Sequence, residues 1–279
     1  MDLRKYNQNI SSLISEKELL SLWWYQPFIF SESIISGAAP SAFMKGMKKT
    51  IVERNIDKDV FTRFQHFSNC MISTYEDWLR ALIQEINFNG QHLHATSVFE
   101  LACNTGYFLM RLREEGGAGK YVGIDKADLS VQRSLLKKIT GINDIEYRPG
   151  KWLADSHLIE GLSSDEQYDV VICNSFIEHI SNPLNLINEL AKRTRRIMLL
   201  NVSVGYFQHG FQIKYKHMPH HDKWGDQFPY FFDTRISRKL LLYSLEKCGF
   251  KKVAEVKNFR LPLRWSFRSL RYMTLICVK

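Results

Sequence analysis

The feature that most limits how this chain can fold begins at Ala95. From there, short apolar runs rich in β-formers alternate with amphipathic helical runs. TSVFELAC, KYVGID, DIEYRP, QYDVVICN and RRIMLLNVSV read as strands, and NTGYFLMRLREE, LSVQRSLLKKI and NPLNLINELAKR read as turn-and-helix or helix segments between them. Strands that return through helices must run parallel, with helices covering both faces of the sheet. Next, TRISRKLLLYSLEKCG reads as a helix stopped at Gly249, glycine being the usual residue just past a helix end. FKKVAEVKN and RYMTLICVK have only the loop Phe259 to Leu270 between them, so they should pair antiparallel at an edge. The expectation is an α/β chain with a seven-stranded, mostly parallel sheet and an antiparallel last strand.

Residues 1–94 have a different texture and read as an N-terminal helical cap on a domain at 95–279. SSLISEKELLSLWW suggests a short helix capped by Ser11 or Ser12. WWYQPFIFSESIISGAAP reads as extended. Residues 60–86 read as a long helix with an apolar stripe of Phe64, Phe67, Met71, Tyr75, Trp78, Leu79, Leu82 and Ile86.

With 45% hydrophobic and 13% aromatic residues, the chain is not disordered. No uncharged apolar run approaches the ~18 residues of a membrane span, and the first residues lack a signal-peptide core. A soluble, cytoplasmic protein without membrane contact is expected. The five cysteines form no CxxC pair and read as reduced, buried thiols. The net charge of +9 is scattered, apart from Arg260, Arg264, Arg268 and Arg271, which lie among aromatics and suit a phosphate backbone or an acidic carrier.

The chemistry concentrates in VFELACNTGYF, residues 98–108. Glu100 lies on the strand, and small residues before Gly106 let a ligand approach the start of the next helix. Asp125 ends the second strand, where a carboxylate can accept both hydroxyls of a ribose. A-x-N-x-G is not the dinucleotide fingerprint, and EEGGAGKY fails as a phosphate loop because Glu114 and Tyr121 occupy its key positions.

These residues resemble the class I S-adenosylmethionine-dependent methyltransferases, whose fold is Rossmann-like. VFELACNTGYF is similar to the family's first motif and GID to its second. QYDVVICNSFIEHISNP is similar to its fourth-strand motif, and EKCGFKKV to its late helix-to-strand signature. Ala102 and Asn104 stand where two glycines are usual. The resemblance implies S-adenosylmethionine as cofactor, with its sulfonium end over Glu100, Ala102, Asn104 and Gly106. It also implies a ribose on Asp125 with Lys126 beside the adenine, Lys151 and Trp152 flanking the adenine, and Asn174 facing the methyl group.

Methyl transfer is an in-line displacement, so aligning nucleophile and sulfonium supplies much of the rate. An oxygen or carbon acceptor also needs a base. Residues 204–233 read as a long acceptor-site insertion without regular structure, carrying Tyr206, His209, His217, His220, His221 and Trp224. The expected bases are His179, which follows the fourth strand, and then His221, which adjoins Asp222. Some relatives carry E-x-x-E-H around this histidine and bind a metal; here Ser175 replaces the first ligand, and no metal is expected. Trp24, Tyr25 and Phe28 are expected to stack on a planar acceptor, since WWYQPFIF looks like the cleft-covering segment of small-molecule and wobble-uridine tRNA methyltransferases. The leading expectation is O-methylation of a small-molecule metabolite. The alternatives are tRNA, a phosphorylated or carrier-bound substrate, and a non-catalytic protein that binds the cofactor or its demethylated product.

Overall fold

The computed structural model describes residues 1–6, 10–22, 24, 26–32, 34–37, 51–53, 58–88, 90, 93–116, 119–205, 207, 210–217, 230–256 and 271–279. The N-terminal region holds α1 (Ile10–Leu13), α2 (Glu16–Ser21), β1 (Ile34–Ser36), β2 (Ile51–Glu53) and the long α3 (Lys58–Phe88). The helix expected from one serine cap is thus two short helices. The cap that forms is Ser15, whose side chain accepts from the Glu18 N–H while Glu18 reaches back to the Ser15 N–H.

The alternating region gives β3 (Val98–Leu101), α4 (Tyr107–Gly116), β4 (Tyr121–Asp125), α5 (Ser130–Thr140) and β5 (Ile145–Pro149). A small hairpin of β6 (Trp152–Leu153) and β7 (Leu158–Ile159) follows. Then come β8 (Tyr168–Asn174), α6 (Pro183–Arg193), β9 (Thr194–Gly205), β10 (Phe211–His217) and β11 (Tyr230–Ser237). The chain closes with α7 (Arg238–Lys247), β12 (Lys252–Glu255) and β13 (Arg271–Val278). The sheet runs β5-β4-β3-β8-β9-β13-β12, parallel from β5 to β9, with β13 antiparallel between β9 and β12.

The insertion differs from expectation. Its described residues are not irregular: β10 and β11 pair antiparallel from Phe211↔Ile236 to His217↔Tyr230, and β11 then joins β9 in parallel at Ile236↔Val204. Residues 234–237 are therefore strand, and the helix starts only at Arg238, capped by the Ser237 side chain on the Leu240 N–H. Val204 also pairs with Arg271 of β13. β11 must then lie on the other side of β9, the side that β8 occupies up to Asn174.

Strand alternation sorts the core into two layers. Val98, Val170, Ile172, Ile197, Leu199 and Ile276 face α3, α4 and α5, together with Met1, Leu3, Trp24, Phe28 and Phe30. Phe99, Leu101, Val171, Met198, Leu200 and Leu275 face α6 and α7. Burial on both faces explains why these strands read as continuous apolar runs rather than as alternation. The N-terminal region shares the first layer directly, through Tyr75, Trp78, Leu79, Leu82 and Ile86 of α3. α3 descends along the sheet: Glu76 meets Tyr107 Oη at 2.9 Å near the carboxyl edge, and Glu85 meets Lys252 Nζ at 2.7 Å near the amino edge. At 1.5 Å per residue, the part before Glu76 carries the helix about 25 Å beyond the carboxyl edge. Phe61, Phe64 and Phe67 are buried along that part, outside both core layers.

Because α3 shares this core, Leu82→Ala should cost about 2–5 kcal/mol in one urea transition followed by tryptophan fluorescence. Two separated transitions would show that α3 unfolds apart from the sheet.

Candidate functional site

After β3 the backbone takes a left-handed conformation at every second residue: φ is 55° at Ala102, 53° at Asn104 and 86° at Gly106. These are the positions where glycine would sit without strain; asparagine tolerates the geometry, whereas alanine pays about 1–2 kcal/mol. Gly106 has a second reason to lack a side chain. A Cβ there would come within 2.2 Å of Tyr147 Oη.

Four other parts of the chain hold this loop: β4, β5, α5 and the N-terminal region. The Cys103 N–H donates to Ile124 O at 3.1 Å. Asp125, at the end of β4, accepts the Asn104 N–H on Oδ2 and the Ala127 N–H on Oδ1, both at 2.8 Å. Tyr147 of β5 donates to Thr105 O at 3.2 Å, and Arg133 of α5 donates from Nε to Asn104 O at 3.0 Å. From the N-terminal region, the Gln26 amide accepts from Thr105 Oγ1 at 2.6 Å and from the Tyr107 N–H at 3.1 Å, and donates to Cys103 O at 3.2 Å.

Glu100, Ala102, Asn104, Gly106 and Asp125 are thus brought together. The Gly150 N–H donates to Asp125 O at 3.2 Å, which draws the turn bearing Lys151 and Trp152 alongside. Lys126 and Lys151 are exposed at this edge. Trp152 departs from expectation: its side chain is buried in the layer beneath α6 and α7. Trp24 and Phe28 also depart. Both are 0% exposed, with Trp24 packed edge-on against Phe28 and Phe30, so they are core and have no face for an acceptor. Tyr25, Tyr206, His209, His220, His221, Trp224, Arg260, Arg264 and Arg268 lie outside the described residues.

Asn174 ends β8, and its register partner on β9 is Asn201. The Ser175 hydroxyl donates to Asn201 Oδ1 at 2.9 Å, and Asn201 Nδ2 donates to Thr274 Oγ1 on β13 at 2.8 Å. His179 stands half-buried on the 3-10 turn Ile177–His179, which β11 grips through a 2.7 Å bond from Thr234 Oγ1 to Ile180 O. Gln26, Arg133, Tyr147, Asn201 and Thr274 carry no motif, and only their contacts reveal them. Among the described residues no three histidines, cysteines or carboxylates gather as a metal site, and no helix is long and apolar enough to cross a membrane.

Glu100 is 1% exposed and its Oε2 has no hydrogen-bond partner. Burial, together with the nearby negative charge of Asp125, pushes its carboxyl well above the usual carboxylate range. The folded chain then holds this proton more tightly than the unfolded chain. Its contribution to stability is intact below the ordinary carboxylate pKa and is lost progressively as the pH rises toward the raised value. Glu100→Gln should therefore melt increasingly above the wild type, in ligand-free protein, as the pH goes from 5 to 8. A difference in melting temperature that stays flat with pH would show that the carboxyl is not raised.

Residues 71–255 match the model of a family described as a methyltransferase domain. No curated protein matches the sequence. Among solved structures, the N-terminal domain of EvdMO1, crystallised in the presence of SAH and D-fucose, superposes with a TM-score of 0.52 at 16% identity, over 72% of this chain and 80% of that one. Magnesium protoporphyrin IX methyltransferase (ChlM) from Synechocystis PCC 6803 with bound SAH gives 0.49 at 15% identity, over 76% and 87%. An S-adenosylmethionine-dependent methyltransferase from Mesorhizobium loti gives 0.48 at 12% identity, over 72% and 95%. The family match spans well over half of the chain, and the strand order and the loop after β3 agree with it: this chain belongs to the class I S-adenosylmethionine-dependent methyltransferases.

Proposed function

We propose that this methyltransferase acts on a small, polar molecule enclosed at the carboxyl edge of the sheet, and that the methyl group goes to a hydroxyl oxygen. One observation carries the reading. On the face toward α3 and α4, the sheet is apolar toward its amino edge and polar toward its carboxyl edge: Glu100, Asn174, Asn201 and Ser203 follow Val98, Ile172 and Leu199 along the parallel strands, and on the antiparallel β13 Thr274 precedes Ile276 and lies opposite Asn201. Asn201, Ser203 and Thr274 are buried, and Ser203 Oγ has no hydrogen-bond partner. Buried polar atoms of this kind cost stability unless something completes their hydrogen bonds. A compact acceptor rich in hydroxyl groups fits such a lining. A nucleic-acid backbone is better served by exposed cations.

The residues fit the cofactor as well. Each Asp125 oxygen spends one lone pair on a backbone N–H and keeps another for a ribose hydroxyl. The unpartnered Glu100 oxygen offers a cationic ligand a buried acceptor. S-adenosylmethionine, when bound, supplies an electrophilic methyl group on a sulfonium. In this reading Asp125 holds the ribose, and Lys126 and Lys151 border the adenine side. Asn174 orients the acceptor, and residues 1–94 close the cleft above it. His179, on the turn that β11 grips, takes the proton from the acceptor hydroxyl.

Labelled S-adenosylmethionine should transfer its methyl group to a small-molecule fraction of a cell extract, as an ether that survives alkali. Label recovered in RNA would overturn the reading in favour of tRNA, and alkali-labile label would mean an ester instead. Asp125→Ala should weaken SAH binding at least tenfold by calorimetry without unfolding the chain, since a hydrogen bond to a charged group contributes about 1.5–3 kcal/mol. Once an acceptor is in hand, His179→Ala should lower kcat by roughly 10²–10⁴ while SAH affinity stays constant.

A further inference from the structure

We propose that Gln26 is a positioning residue for the cofactor: its amide sets the shape of the loop after β3, and through it the N-terminal segment controls how tightly the cofactor is held. Gln26 is 3% exposed, and its amide meets three groups of one loop. Its oxygen takes the Thr105 hydroxyl and the Tyr107 N–H, and its nitrogen gives a hydrogen bond to Cys103 O. The Tyr107 N–H begins α4, where helix geometry leaves the first amides without partners of their own. A single planar amide therefore fixes both the entry to α4 and the carbonyl that precedes Asn104.

Gln26 is itself held from behind. The Ser36 hydroxyl donates to Gln26 O at 3.1 Å and accepts the Phe28 N–H at 2.9 Å. Ser36 N then bonds Phe28 O at 2.8 Å, and Phe30 N bonds Ile34 O at 3.0 Å. Residues 1–3 add a parallel bridge, with Leu3 N on Ile29 O and Ile29 N on Met1 O, both at 2.9 Å. The result is a small sheet on the first core layer with Gln26 projecting from its end into the loop. The loop carries left-handed strain at Ala102, so it relaxes if these bonds are lost. Gln26 does not act on the methyl group; it holds the backbone that the cofactor must meet.

The test uses the full chain and SAH as probe, so it does not depend on the identity of the acceptor. Gln26→Ala should weaken SAH at least tenfold by calorimetry and speed amide exchange at residues 105–110 in the ligand-free protein. Phe30→Leu is the control for packing: it should lower the melting temperature of the same segment while leaving SAH affinity within threefold. Gln26→Glu supplies a readout that packing alone would not move. Ionised, it keeps the acceptor for Thr105 and Tyr107 but sets a negative oxygen against Cys103 O; protonated, it regains the donor. Its SAH affinity relative to wild type should therefore recover as the pH falls. The charged groups around this amide are Glu76 and Arg111 beside Tyr107, Arg133 on Asn104, Glu100 and Asp125 near the loop, and the Met1 ammonium on Pro27 O; all are common to both proteins, and the ratio cancels their effect to first order. If Gln26→Ala costs no more SAH affinity than Phe30→Leu at a matched loss of melting temperature, or if the Gln26→Glu ratio is flat with pH, the proposal fails.

Discussion

The carboxylate of Asp125 ties together the backbone on which the site depends. Its two oxygens take N–H groups from the loop after β3 and from the turn after β4, at 2.8 Å each. Bonds to a charged group are worth about 1.5–3 kcal/mol apiece, enough to offset the left-handed strain at Ala102. Parallel strands leave their carboxyl ends side by side with no chain connection there, so something must join the loops at that edge. Asp125 joins two of them, Tyr147 brings in β5, Arg133 brings in α5, and Gln26 brings in the N-terminal segment. The loop after β3, where we place the cofactor, is thus a point at which several of the described elements converge by hydrogen bonding rather than by apolar contact.

The two faces of the sheet use burial differently. Beneath α6 and α7, apolar side chains continue to the carboxyl ends of the strands, with Leu101, Cys173, Val202 and Val204 all in the layer. On the other face the apolar rows stop early and Asn174, Asn201 and Ser203 replace them. The difference is chemical rather than a shortage of cover, because Asn201 and Ser203 are as buried as the leucines below them. Polar side chains at full burial destabilise a core that has no use for them. Their confinement to the carboxyl edge makes that edge polar beside the loop after β3.

Much of this was legible in the sequence, for reasons that differ from residue to residue. The strand and helix order could be read because each parallel strand is a compact apolar run bounded by turns, from VFEL to YDVVICN. The place of Asp125 at the end of β4 could be read because it ends such a run shortly after the first loop. Trp24 and Phe28 read from sequence as ligand-stacking residues but are core, since an aromatic run looks alike whether it faces a ligand or a core; only their packing against Phe30 and Tyr107 decides it. Gln26 could not be found at all. Its role depends on a contact with Cys103 and Thr105 far along the chain, and one glutamine in an extended segment carries no periodic signal. The strands at 211–217 and 230–237 were hidden by their long connection, because histidines and aromatics without alternation look like a loop.

The position of that hairpin follows from the length of β9. β8 ends at Asn174, opposite Asn201, but β9 continues to Gly205. On its other side β13 stays paired to Val204. Beyond Asn201, β9 would therefore have one satisfied edge and one bare edge, and a bare edge is a place for misplaced pairing. β11 fills the gap at Val204 and Gly205, and β10 then covers β11. The repair has a consequence for the site, since the strand that closes the edge also reaches the turn after β8: Thr234 holds Ile180 O, one residue past His179. Extending β9 past β8 thus both calls for a new strand and sets that strand against the turn that carries His179, so the end of the sheet and the placement of that turn are built by the same few residues.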